Sequence, residues 1–239
     1  MPDISTPLFW IAVLQIIAID IMLGGDNAVV IALACRKLPP EQRKKGIFWG
    51  VVGAIGLRVV MIFFALQLLA LPYLKIVGAV LLFWIGIKLM LQGDDDGHDS
   101  IDGGTTLAAA IKTIVVADAV MSLDNVIAVA GASHGSIVLV TFGILVSIPI
   151  VVWGSKIVLT LMDRYPMVIT LGAALLGWIG GGMMLTDPAT PKSVAAAIPQ
   201  AGYVFGAAGA VLVVVIGKII GSRQARPKAV EIPVAPNNK

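Results

Sequence analysis

Apolar residues in this chain neither alternate with polar ones nor keep to one helical stripe; they fill runs of about twenty residues separated by short polar breaks. Such runs predict membrane-spanning helices, here seven, at about 8–35, 47–70, 72–92, 107–132, 136–161, 166–185 and 202–221. The break after the first run carries Arg36, Lys37, Arg43, Lys44 and Lys45, and the tail carries Arg223, Arg226, Lys228 and Lys239. Basic loops stay cytoplasmic, which puts the N-terminus outside and the tail, 222–239, in the cytoplasm. Residues 1–7 hold no Lys or Arg, so the first run lacks the basic flank of a cleaved signal and is expected to be retained.

The pattern repeats. Asp118 and Asp124 follow Asp20 and Asp26 by 98 positions, and the same shift carries Gly56-Leu57-Arg58 onto Gly154-Ser155-Lys156. The third runs align at a shift of 94, where Pro72 meets Pro166 and Leu82-Phe83-Trp84-Ile85-Gly86 meets Leu176-Gly177-Trp178-Ile179-Gly180. The expected fold is therefore an all-α membrane protein, one transmembrane domain over 1–221. A three-helix unit at about 8–92 is duplicated at about 107–185, and a seventh helix is added at about 202–221. Three crossings are odd, so the second copy runs through the bilayer inverted.

Each repeat begins with acids in an apolar run: Asp20, Asp26 and Asn27 in the first, Asp118, Asp124 and Asn125 in the second. A central Asp costs roughly 2.5–3.5 kcal/mol on insertion scales, so four cost on the order of 10 kcal/mol unless something compensates. On a regular helix Asp20 and Asn27 share a face while Asp26 points about 120° away. Gly24-Gly25 predicts a local helix break that would swing Asp26 inward and free carbonyl oxygens; Ser122-Leu123 occupy the equivalent place in the second copy, so an asymmetric site is expected.

Arg58 and Lys156 are the candidate counter-charges. Four acids against two bases leave minus two, which suits a divalent cation or two protons better than an anion. Carboxylates, Asn27 and Asn125 amide oxygens and freed carbonyls are hard donors fit for Mn, Mg or Ca. The competing reading is a buried structural network that sets helix register, with Lys156 snorkelling to the interface.

The chain's bulk properties agree with a bilayer-resident bundle. Of 239 residues 58% are hydrophobic and 13% charged, against about a quarter charged in soluble domains. The net charge of +3 sits mostly in one loop and the tail, where it reports orientation and gives no sign of nucleic-acid binding. The lone Cys35 allows no internal disulfide and reads as a small buried residue. The connection 93–106, with Asp94, Asp95, Asp96, His98, Asp99 and Asp102, is either a cation-collecting patch or a solvated linker between the halves. His134 in an external turn is either a proton sensor or an ordinary exposed histidine. Gly78, Gly86, Gly172, Gly180, Gly181 and Gly182 read as close-packing positions, and the five tryptophans as interfacial or bundle anchors.

Gly24-Gly25-Asp26-Asn27-Ala28-Val29-Val30-Ile31-Ala32 and Asp118-Ala119-Val120-x-Ser122-x-Asp124-Asn125 resemble the paired signatures of the TerC family of integral membrane proteins, over about residues 8–221. That resemblance implies a bacterial inner-membrane protein exporting Mn2+, with no permanently bound cofactor and Asp20, Asp26, Asn27, Asp118, Asp124 and Asn125 as metal positions. The family's older association is with tellurium resistance, which leaves an envelope-stress scaffold, or an exporter of another cation or small solute, as the alternative. An intramembrane aspartyl protease is disfavoured: Leu23-Gly24-Gly25 and Met121-Ser122-Leu123 precede the motif acids where presenilin-type enzymes have Gly-x-Gly and Tyr. The oligomeric state is open.

Overall fold

The computed structural model describes residues 7–91, 106–132 and 137–224, and every regular element among them is a helix. They are α1 (Pro7–Cys35), α2 (Pro40–Phe63), α3 (Ala65–Ala70), α4 (Leu74–Leu91), α5 (Leu107–Ala132), α6 (Ile137–Arg164), α7 (Met167–Thr186), α8 (Lys192–Ala197) and α9 (Ala201–Gln224). The acidic connection, the turn at His134 and the tail beyond 224 lie outside the described residues. Among the described residues, five helices are long and apolar enough to cross a membrane: 40–63, 74–91, 145–164, 167–186 and 201–223. The two other long helices, α1 and α5, carry the acidic motifs.

Two features differ from the sequence expectation. The second run is α2 followed by the short α3, parted at Phe64, and α2 starts seven residues before the expected position because Pro39 and Pro40 open a helix readily where an N–H has no partner to lose. The expected break at Gly24-Gly25 is absent, and α1 runs unbroken for 29 residues. The reason is one of magnitude. Two glycines cost a helix about 2 kcal/mol relative to alanine, whereas each unsatisfied backbone group in an apolar setting costs several.

The first helix of each half lies along the second helix of the other: α1 packs on α6 and α5 on α2, while α4 meets α7 and α1 meets α5. The core between them is aliphatic, with Leu82, Ile85, Ile114, Met162, Leu176 and Met183 nearly inaccessible. Helix α9 lies against α7 so closely that a Cβ on Gly177 or Gly181 would collide with backbone atoms of Gly209 or Phe205. Small residues let van der Waals contact replace the missing hydrophobic drive in lipid. Gly78, Gly86, Gly172 and Gly180 pack closely against side chains, of Val120, Val213, Val29 and Phe83 in turn, but Gly182 has open space around it, so packing is not its role. All five tryptophans are exposed, and Cys35 is wholly buried.

Two polar ties close the ends of the bundle. At one end, Arg43 donates to the Leu38 and Arg36 carbonyls and pairs with Asp163 at 3.1 Å, joining the α1–α2 turn to the end of α6. At the other, Asp187, just past α7 and 3% exposed, accepts backbone N–H groups of Tyr73 (2.9 Å), Lys75 (2.9 Å), Ile76 (3.2 Å) and Ala189 (2.7 Å). It caps the first turn of α4 from 112 residues away in sequence and holds Tyr73 in a left-handed conformation at φ 67°. Burial alone would raise the Asp187 carboxyl, but the N–H groups of Ala189, Tyr73, Ile76 and Lys75 outweigh it and hold the acid below the ordinary carboxylate range.

Replacing Asp187 by Ala is expected to cost on the order of 3 kcal/mol, read by thermal unfolding in detergent, because buried donors lose a charged acceptor. A carboxylate whose folded-state pKa is depressed stabilises fully above its unfolded value. The difference between wild type and variant should therefore persist at neutral pH and vanish as pH falls through the depressed folded value.

Candidate functional site

The chemistry lies where the two halves interleave. Arg58, in the last third of α2 and 6% exposed, crosses to α5 of the other half, where Nη2 donates to Asp118 Oδ1 at 2.5 Å and Nε donates to Ser122 Oγ at 3.0 Å. The Ser122 hydroxyl donates in turn to Asp118 Oδ2 at 3.3 Å, closing a triangle. Asp118 and Ser122 lie one turn apart on α5, so a single guanidinium spans both. Arg58 and Asp118 stand out in the sequence as charges in apolar runs, whereas Ser122 enters as the counterpart of Gly24 and as part of the second signature, with no role of its own. Its hydroxyl at position i+4 from the acid was the available signal.

Around this triangle lies a cavity of about 30 Å³, lined by Asn27, Val30, Ile31, Val51, Ala54, Ile55, Arg58, Ile114, Asp118, Met121, Ser147, Ile148 and Val151. That is room for a water-sized guest. None of these residues is exposed. Asn27 is 5% exposed, and its Oδ1 has no hydrogen-bond partner. A second, wider cavity of about 420 Å³ is lined by Asp26 and Asn125 together with Met121, Met183 and residues of α7 and the start of α9. Asp26 Oδ1 is buried and likewise unpartnered. Unmade hydrogen bonds on buried oxygens cost about 1–3 kcal/mol each, more on a charged group, so two on neighbouring residues are a substantial unmet demand.

The structure thus brings Asn27, Arg58 and Asp118 to one cavity and Asp26 and Asn125 to another. Asp20, Gly24, Gly25 and Asp124 have helical backbone, and their side chains lie outside the described residues. Lys156 departs from its expected role as a counter-charge: it is exposed, one position along from the wholly buried Ser155, on a face of α6 turned away from the interior. A lysine stem reaches out readily, and an ammonium is solvated more cheaply at the boundary than within the bundle. Among the described residues no three His, Cys, Asp or Glu side chains form a metal cage, so any cation here rests on amide oxygens as well as carboxylates.

Arg58→Leu should destabilise the protein by about 3–5 kcal/mol in detergent unfolding, because it strands a buried carboxylate. Adding Asp118→Leu should recover most of that loss, as a coupled pair requires; strict additivity of the two changes would contradict the pairing.

Comparison with known proteins agrees with the motif reading. The description "Integral membrane protein TerC family" matches residues 5–225. The chain is 45% identical over 179 residues to the uncharacterized membrane protein YjbE of Bacillus subtilis (strain 168), covering 75% of this chain and 81% of that one. It is 26% identical over 184 residues to YceF, an uncharacterized membrane protein of the same organism, covering 74% and 71%. With the UPF0053 protein YegH of Escherichia coli (strain K12) it shares 26% identity over 227 residues, 87% of this chain but 42% of that protein. No solved structure matches. With helices that cross the bilayer several times and a motif match over nearly its whole length, the chain belongs to the TerC family of integral membrane proteins.

Proposed function

We propose that this protein exports a divalent cation across the bacterial inner membrane, with Mn2+ as cargo, and that its seven long helices cross the bilayer as two inverted three-helix repeats plus α9. The observation that carries the reading is the pair of buried, unpartnered oxygens, Asp26 Oδ1 and Asn27 Oδ1, on residues that line two cavities where the halves meet. A cation beside either one supplies the positive partner it lacks. Oxygen donors suit Mn, Mg and Ca alike; manganese enters through the family resemblance.

The topology is supported by the reciprocal packing of α1 on α6 and α5 on α2, which is what a two-fold relation between the halves requires. It is supported too by the end ties. Arg43 and Asp163 belong at one face of the membrane if α1, α2 and α6 each span it, and Asp187 and Tyr73 belong at the other. The basic loop at Arg36–Lys45 makes the first face cytoplasmic. The wide cavity, whose rim residues Thr186 and Gly202 sit at the opposite ends of α7 and α9, then opens outward. With Lys156 directed away, Arg58 alone offsets Asp26 and Asp118 among the described residues of these cavities, and the balance is negative.

Manganese efflux from loaded vesicles should be lost in Asp26→Asn and reduced in Asn27→Ala. These are changes of one or two ligands in a site that holds few, and each ligand contributes a charge-assisted contact. Undiminished efflux in both variants would overturn the proposal.

A further inference from the structure

Lys75 is turned inward. It opens the buried stripe of α4, followed on the same face by Gly78, Ala79, Leu82 and Ile85, and it is 9% exposed. A lysine near the end of an apolar helix ordinarily sends its ammonium out to the boundary, and Lys156 on α6 is exposed in that way. Lys75 Nζ instead donates to Thr186 Oγ1 at 3.3 Å.

Thr186 belongs to the rim of the wide cavity that Asp26 and Asn125 line. One turn further along α4, a Cβ on Gly78 would meet Met183 Cε at 3.3 Å, and Met183 lines the same cavity. The inward stripe of α4 therefore lies against the α7 wall of that space, with the Lys75 ammonium at the level of the rim. The tie that closes this end of the bundle does not use the charge. Asp187 accepts the backbone N–H groups of Tyr73, Lys75 and Ile76, which any residue but proline supplies at position 75.

An exporter has to let its ion go on the outer side, so the site open to that side must bind weakly. Asp26, with a buried and unpartnered Oδ1, works against release. We propose that Lys75 sets the cation affinity of the wide cavity: its ammonium, held at the rim by Thr186, opposes the charge of Asp26 and loosens a divalent ion before it leaves. This rests on the cation-export reading and adds what ends the ion's stay. The repulsion acts on a dication twice as strongly as on a monovalent ion. A space of about 420 Å³ is on the order of 10 Å across, and over that distance a unit charge changes the binding of a dication by roughly tenfold or more even with partial screening.

The test is equilibrium binding of Mn2+ to the purified full-length protein in detergent, read from the EPR signal of the free ion. Lys75→Gln removes the charge but keeps a side-chain N–H donor for Thr186 and the backbone N–H for Asp187, so a purely structural tie predicts wild-type binding. The electrostatic role predicts binding roughly tenfold tighter or more. Lys75→Arg, which keeps the charge, should bind close to wild type. Asp26→Asn added to Lys75→Gln should abolish the tightened binding, which locates it in the wide cavity. Thermal unfolding checks that each variant is folded, and where Lys75→Gln is not, Lys75→Met keeps the apolar stem and serves with the same direction. Equal affinity in wild type and Lys75→Gln, or a tightening that survives Asp26→Asn, would overturn the role of Lys75 and leave the export reading standing. Absence of Mn2+ binding in wild type, Lys75→Gln and Lys75→Met alike would overturn the export reading and this role with it.

Discussion

The guanidinium of Arg58 held against Asp118 and Ser122 is the contact on which the site's organisation depends. Neither ion would be tolerated alone in so apolar a place, and the pair itself is close to neutral in its net effect on stability. What it fixes is geometry. Arg58 belongs to the first half and Asp118 to the second, so their contact sets the position of α2 against α5 at the level where α1 presents Asp26 and Asn27. Satisfying Asp118 inside the protein leaves the unmet demand on α1, where two oxygens have no donor.

An unbroken α1 is the second constraint. Discontinuous helices in transporters expose carbonyls to an ion, and the glycine pair in the first motif invited that expectation. Continuity changes the chemistry on offer: side-chain oxygens rather than freed carbonyls face the cavities, and consecutive residues are forced to serve separate spaces. The division into two compartments is therefore a consequence of helical geometry at Asp26-Asn27.

The apolar runs and the repeat were legible because hydropathy and spacing are properties of the sequence itself, and lipid leaves a helix few alternatives. Asp26, Asn27, Arg58, Asp118 and Asn125 were legible for the same reason, as polar groups where polarity is costly. Asp187 was not. It stands in an Asp-Pro turn that looks like any loop, and its partners at Tyr73, Lys75 and Ile76 are more than a hundred residues away. The tie between Arg43 and Asp163 was hidden by similar distance, and Arg43 was counted only as one of several charges marking the cytoplasmic loop. Lys156 misled for the opposite reason. The repeat shift made it the twin of Arg58, but a shift aligns positions and says nothing about which way a flexible stem turns at a lipid boundary.

That difference between twins bears on how the halves work together. An inverted repeat gives a carrier its two states when each half adopts the other's conformation in turn. Here one half's acid is locked by Arg58 and braced by Ser122, whereas the equivalent positions in the other half are Lys156, exposed, and Gly24, which has no hydroxyl to offer. In the carrier proposed above, the two states would then be unequal in energy. The locked arrangement coincides with the wide cavity reaching the rim at Thr186 and Gly202. For the proposed cycle to turn, the bias has to stay within the few kcal/mol that ligand binding can reverse. A pair that is nearly neutral in stability yet strict in geometry meets that requirement, and a cation able to compete with Arg58 for Asp118 is the kind of guest that could release it.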